Sequence, residues 1–116
     1  MEILDIEAAL EFTGGEPEFF IELAEAFIND IPPEAEKLQQ LEAEDLSKAA
    51  SYVHYYKGAA RQLAAQKLSH TGQKLEDILR KKTEGDISKL NSEFLECHKE
   101  AVEALKKAVE ALSKGH

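Results

Sequence analysis

Apolar residues recur every three to four positions along most of this chain, which is the spacing that places them on one side of an α-helix. Glycine, proline and acidic residues separate these stretches, as they do where helices begin or end. The pattern predicts one short helical stretch and four longer ones, at residues 3–12, 17–42, 46–63, 66–82 and 87–112. We therefore expect an all-α protein.

Two adjacent prolines, Pro32 and Pro33, interrupt the second of these stretches. A proline lacks a backbone N–H and disfavours the helical conformation in the residue before it. The pattern therefore allows either a break or a kinked continuation at this point. The start of the third stretch is better marked, because Asp45 is suited to cap a helix there.

Long amphipathic helices joined by short connections predict an antiparallel up-down four-helix bundle. The short additional N-terminal helix is expected to pack across one end. A chain of 116 residues is long enough for one domain with its own core, so we expect residues 1–116 to form a single domain. Within this domain, residues 45–64 carry the sequence motif described below, and the last helix is expected at about 87–112.

The composition excludes several classes of partner. The net charge of −9 argues against nucleic acid, because the phosphate backbone repels a surface of this sign. No apolar run approaches the ~20 residues that span a bilayer, and the start of the chain lacks the basic residues of a signal peptide. The single Cys97 cannot form an internal disulfide, which suits a reducing compartment. We expect a cytoplasmic protein with no membrane partner.

The charges are unevenly distributed along the chain. Residues 46–75 contain no Asp or Glu but five basic residues, whereas all 23 acidic residues lie elsewhere. One locally cationic segment therefore stands out in an acidic protein. Such a segment suits a site that tolerates a phosphoryl group or approaches an acidic partner.

His54 is the candidate reactive residue, because of the residues that follow it. On a helix, positions i, i+3 and i+4 share one face, so His54, Lys57 and Gly58 are expected to be neighbours on the surface of one turn. A glycine inside a helix costs roughly 0.5–1 kcal/mol relative to alanine. The lack of a side chain at position 58 would give another molecule access to the imidazole ring.

The segment 54–60, with sequence His-Tyr-Tyr-Lys-Gly-Ala-Ala, followed by Leu63 and Ala64, resembles the motif of the histidine-containing phosphotransfer (HPt) domain family. That motif has a His, two variable residues, Lys-Gly, two small residues and then a Leu-Gly pair. The chain departs from it at Ala59, where serine is frequent, and at Ala64, where glycine is usual. The resemblance covers about residues 5–110.

The resemblance implies a phosphoryl carrier of a multistep phosphorelay, which is not an enzyme and has no ATP site. His54 would accept a phosphoryl group on Nε2 from the phosphoaspartate of a receiver domain and pass it to an aspartate of another. The receiver would supply the Mg²⁺, so no cofactor is expected in this chain. The implied partners are receiver (response-regulator) domains and a hybrid sensor kinase, and the chain would be a monomer. The family often has one long helix near Pro32, which favours a kink there.

The same resemblance implies roles for the residues around His54. Lys57 would neutralise charge on the phosphoryl oxygens, and Gly58 would provide access. Glu76, with Gln73 as the second candidate, would hold the second ring nitrogen from the neighbouring helix. The positions of two other residues on the helix suggest further roles. Tyr55 flanks His54 on the more exposed side and is expected to contribute to an apolar docking patch. Arg61 lies two turns beyond His54 and is expected to contact the phosphoryl group or the acidic pocket of the partner.

Three other interpretations remain at this stage. The histidine of an HPt domain can instead be phosphorylated directly by a chemotaxis-type kinase. A helical interaction module without phosphotransfer would have His54 buried. A metal-binding four-helix bundle would bring His70 or His98 together with carboxylates in the core, although the chain has no Glu-x-x-His motif and we expect no metal.

Overall fold

The computed structural model describes residues 1–114, and within that range the chain is all-helical, with no strand. Gly115 and His116 lie outside the described residues. The helices are α1 (Ile6–Phe12), α2 (Pro17–Asn29), α3 (Ala35–Glu44), α4 (Leu46–Gln62), α5 (Gln66–Leu79) and α6 (Ile87–Lys114). No helix of the described range is both long enough and apolar enough to cross a membrane.

The expected kinked helix across the two prolines is wrong, because α2 and α3 are separate helices. The backbone is extended at Asp30, and residues 30–34 are not helical. Tyrosines of α4 satisfy polar groups of this linker: the hydroxyl of Tyr56 donates to the carbonyl of Ile31 at 2.8 Å, and the N–H of Glu34 donates to the hydroxyl of Tyr52 at 3.0 Å. The break is therefore stabilised from a neighbouring helix, which local sequence does not reveal.

Several helix ends also differ from the expected boundaries. The first helix begins at Ile6 and not at residue 3, because Asp5 caps it by accepting a hydrogen bond from the N–H of Ala8. The fifth ends at Leu79 and not at residue 82, because Lys81 adopts a left-handed conformation with φ of 63°. The last continues to Lys114. The predicted cap at the start of α4 is confirmed, since the Asp45 carboxylate accepts from the N–H of Ser47 at 2.9 Å.

The helices pack around one hydrophobic core. The α4 helix packs against α5, α5 against α6, and α2 against α6, while α3 contacts both α4 and α6. The apolar residues of α4 and its C-cap that recur at helical spacing form a buried stripe, in which only Leu46 is half-buried: Leu46, Ala49, Ala50, Val53, Tyr56, Ala60 and Leu63. The largest fully buried side chains come from five of the helices and the α4–α5 connection: Phe20, Leu38, Val53, Leu63, Leu68, Leu75, Leu79, Phe94 and Leu105. This packing fixes the relative positions of α4 and α5, which carry the candidate site.

The α4 and α5 helices approach closely at Gly72, which lies inside α5. A β-carbon added at Gly72 would lie 3.2 Å from Cβ of Lys57 and 3.4 Å from Cε1 of Phe94. Contacts this short are tighter than ordinary van der Waals packing. The missing side chain therefore leaves room for the first atoms of the Lys57 side chain between the two helices.

The end of α4 explains why glycine suits position 64. The N–H of Ala65 bonds to the carbonyl of Ala60, and the N–H of Ala64 bonds to that of Arg61. This pair of hydrogen bonds is a Schellman cap, which requires a left-handed residue, and Ala64 has φ of 53°. An L-residue with a β-carbon is strained in that conformation.

Replacing Ala64 with glycine is expected to stabilise the protein by about 1 kcal/mol, because glycine has no β-carbon to strain the left-handed conformation. Chemical denaturation of the two proteins would measure the difference in free energy of unfolding. Ala111→Gly, at an exposed right-handed position of α6, is the matched control and should destabilise the protein by about 1 kcal/mol. A loss of stability in Ala64→Gly would contradict the strain.

Candidate functional site

His54 lies on the solvent side of α4, next to the buried stripe. Its side chain is 59% exposed, while its neighbours Val53 and Tyr56 are buried and anchor this turn. Its Nδ1 lies 3.2 Å from each carboxylate oxygen of Glu76 on α5. A carboxylate with a low pKa only accepts hydrogen bonds, so this contact assigns the ring proton to Nδ1. No hydrogen bond within residues 1–114 engages Nε2, which is left with its lone pair.

The Glu76 carboxylate lies at the centre of a charged cluster. Its side chain is only 8% exposed. Burial alone would raise the pKa of Glu76, but hydrogen bonds from Lys57, Arg80 and His54, together with the Lys57 charge, outweigh it and lower that pKa to about 2. The group that receives the His54 N–H is therefore ionised at any physiological pH.

Lys57 is buried, which differs from the expected surface position beside His54. Its side chain is 7% exposed, and Nζ lies 2.8 Å from Oε1 of Glu76. The same nitrogen donates to Oε1 of Gln73 at 2.9 Å, and Nε2 of Gln73 donates to Asp77 at 2.8 Å. The space left by Gly72 allows the lysine to extend towards α5. The i, i+3 spacing predicted that Lys57 lies on one turn with His54, but it did not show that the lysine side chain extends towards α5.

Sequence reasoning missed Arg80. Its Nε donates to Oε2 of Glu76 at 2.8 Å, and its side chain is one-third exposed. The two residues are four positions apart on α5, a spacing at which opposite charges pair on a helix. That spacing was the available signal, but its relevance depended on first placing Glu76 beside His54.

The remaining predicted residues surround the ring. A β-carbon added at Gly58 would meet no atom within 4 Å, so the space beside this position is open. Tyr55 is 58% exposed, and its hydroxyl donates to Oδ2 of Asp30 at 2.5 Å. Arg61 is exposed and shares the lining of a shallow surface pocket with Gln73. Within the described chain, Arg61 belongs to none of the ion pairs around Glu76.

The other histidines of the described range do not form a metal centre. His98 is buried on α6, where its ring stacks on Phe27 with centroids 5.1 Å apart, and burial lowers its pKa. His70 is exposed on α5. Among residues 1–114, no three His, Cys, Asp or Glu residues converge as metal ligands.

Comparison with protein families connects this geometry with a known group of proteins. A family model described as the Hpt domain matches residues 22–115. The chain belongs to the Hpt domain family. The matched range includes α2 from residue 22 onward, α3 to α6, and all the residues of the cluster around Glu76. Comparisons with curated proteins and with solved structures find no match.

Membership of the Hpt family implies histidine phosphotransfer in two-component phosphorelay signalling, and Hpt domains are phosphocarriers that interact with receiver domains. The interaction module without phosphotransfer was to be distinguished by a buried His54. The His54 side chain is instead 59% exposed, which is the arrangement that a carrier requires.

Proposed function

We propose that His54 accepts a phosphoryl group from the phosphoaspartate of one receiver domain and passes it to the aspartate of another. The observation that carries this proposal is the orientation of the ring, in which Nδ1 faces a buried, ionised Glu76 and Nε2 has no partner within the described chain. A histidine held in this way presents one nitrogen as a nucleophile while the other keeps its proton.

The proposed transfer needs no proton movement. The lone pair of Nε2 forms a bond to phosphorus, the acyl-phosphate P–O bond breaks, and its electron pair remains on the receiver carboxylate. Nδ1 keeps its proton, so the product ring carries a positive charge delocalised over both nitrogens. Glu76 lies 3.2 Å from Nδ1 and stabilises this charge as it forms. The reverse step delivers the phosphoryl group to the next receiver.

Lys57 contributes to the electrostatics of the site from inside the protein. Because its ammonium group is bound to Glu76 and Gln73, it acts as a fixed positive charge behind the ring and offsets charge on the phosphoryl oxygens from there. Arg61, which is exposed on the same helix, contacts the phosphoryl group or the acidic pocket of the receiver. The receiver supplies the Mg²⁺, and this chain needs neither a cofactor nor ATP.

In the proposed complex, the receiver covers Tyr55 and the open space at Gly58, next to His54. The partners are response-regulator receiver domains, one of them belonging to a hybrid sensor kinase, and the carrier works as a cytoplasmic monomer.

We also infer that the helices run up and down as an antiparallel four-helix bundle, in which α2 and α3 together take the place of the first helix.

A transfer experiment tests the proposed function. A receiver domain carrying radiolabelled phosphoaspartate is mixed with this protein, and the label on each is followed with time. The label should appear on this protein in an acid-labile, alkali-stable form, as a phosphohistidine requires, and should leave when a second, unphosphorylated receiver is added. Failure to take label from several receiver donors would contradict the proposal.

Replacing Gly58 with alanine is expected to stabilise the protein by about 0.5–1 kcal/mol, because the added methyl group meets no atom within 4 Å and alanine favours a helix. The same methyl group should slow phosphoryl uptake by roughly tenfold or more, because it displaces the docked receiver from His54. Denaturation and the transfer time course measure the two effects.

Ser92→Ala, at an exposed helical position of α6, is the matched control for Gly58→Ala. It should raise stability slightly and leave phosphoryl uptake unchanged. If Gly58→Ala took up label at the parent rate, the open space at this position would have no part in receiver access.

A further inference from the structure

Both oxygens of the Glu76 carboxylate are held by cations that come from different directions. Oε1 lies 2.8 Å from Nζ of Lys57 on α4, and Oε2 lies 2.8 Å from Nε of Arg80 on α5. Nδ1 of His54 then lies at the same distance, 3.2 Å, from each oxygen. Two anchors fix the rotation of a planar carboxylate, whereas one anchor leaves it free to turn.

We propose that Arg80 is a positioning residue for phosphotransfer, which acts on His54 through Glu76. By holding Oε2, Arg80 keeps the carboxylate plane directed at Nδ1, and the proton therefore stays on that nitrogen and Nε2 remains the nucleophile. The consequence for transfer rests on the proposed function. The effect on the ring does not, because it is present in the protein without a receiver.

Arg80 also balances the charge of the cluster. The ionisable groups in contact with Glu76 are His54 and Lys57 from α4 and Arg80 from α5, and Asp77 joins through Gln73. Within the described chain, α6 contributes no ion pair to this cluster. Each oxygen of the single carboxylate is therefore paired with one fixed cation, Lys57 on one side and Arg80 on the other.

A purely structural role for Arg80 predicts a different outcome. An i, i+4 pair at a partly exposed position contributes little to folding. If Arg80 only stabilised α5, its loss would change the unfolding curve slightly and leave the His54 ring unaffected. The nitrogen chemical shifts of that ring therefore distinguish positioning from stabilisation.

The test compares Arg80→Gln, Arg80→Lys and the control Lys82→Gln, which removes one exposed positive charge two residues away. In Arg80→Gln, nitrogen NMR should show part of the His54 proton moving from Nδ1 to Nε2. The transfer rate should fall about tenfold, as when a supporting contact to an orienting residue is lost. Arg80→Lys should restore most of both properties, and Lys82→Gln should match the parent.

The experiment distinguishes failure of the positioning role of Arg80 from failure of the carrier function of His54. If the ring signals and the transfer rate of Arg80→Gln coincide with those of the parent while the parent carries phosphate, the positioning role is overturned and the carrier function stands. If the parent takes no label but the ring signals of Arg80→Gln change as expected, the carrier function fails and the effect of Arg80 on the ring stands.

Discussion

Replacing His54 with glutamine is expected to abolish phosphoryl uptake completely, because no other group of the site has an available lone pair on nitrogen. Lys57 is buried and bound to Glu76, and Arg61 is a cation without a nucleophilic lone pair. Glutamine has a similar reach and can donate a hydrogen bond to Glu76, so the cluster is retained. Label transfer from a phosphorylated receiver domain measures the loss.

The same substitution should leave folding nearly unchanged, since the His54 side chain is 59% exposed. Thermal unfolding of the variant and the parent checks this point, so that loss of label cannot be attributed to loss of structure. His70→Gln is the matched control, because it removes an exposed histidine from the adjacent helix and should carry label like the parent. Label on a well-folded His54→Gln protein would place the acceptor elsewhere.

The largest loss of stability is expected from Glu76→Gln, at about 3 kcal/mol. The substitution removes the negative charge that Lys57 and Arg80 share, and leaves the Lys57 ammonium buried with neutral partners. Breaking one partner of a buried ion pair costs about 3–5 kcal/mol. The lowered pKa of Glu76 gives a similar figure, because a fall from 4.5 to about 2 is worth roughly 3 kcal/mol.

The stability that Glu76 contributes should decrease as the pH falls. A folded-state pKa below the unfolded value of 4.5 contributes stability that is fully present above pH 4.5 and is lost as the pH falls towards about 2. The parent should therefore lose its advantage over Glu76→Gln across that window, while the two differ by a constant amount near neutral pH. Urea denaturation at a series of pH values measures the difference.

Two variants separate this effect from an ordinary loss of charge. Glu100→Gln removes the partner of Lys67 in a partly exposed pair and should cost less than about 1 kcal/mol. The double variant Lys57→Met/Glu76→Gln removes both buried charges and should recover part of the lost stability. If Glu76→Gln were no less stable than Glu100→Gln, the cluster would contribute nothing to folding.

The helical class of the fold and the position of most elements followed from the sequence, because apolar spacing and caps are local properties. The buried stripe of α4 and the Asp45 cap are examples. The break between α2 and α3 did not follow, since both a kink and a stop suit Pro32 and Pro33. The stop is stabilised by Tyr52 and Tyr56, which are distant in sequence from the linker they bind.

Part of the candidate site could likewise be predicted from local sequence, and part depended on how the helices pack. Local sequence was enough to predict that His54 begins a helical Lys-Gly motif in the cationic part of an acidic chain, with an alanine at position 64. The packing of α4 on α5 was needed to show that Lys57 is directed into the protein, that Glu76 is held from three sides, and that Arg80 belongs to the cluster. The physical reason is that these contacts join α4 to α5, and their direction depends on the close approach of the two helices at Gly72.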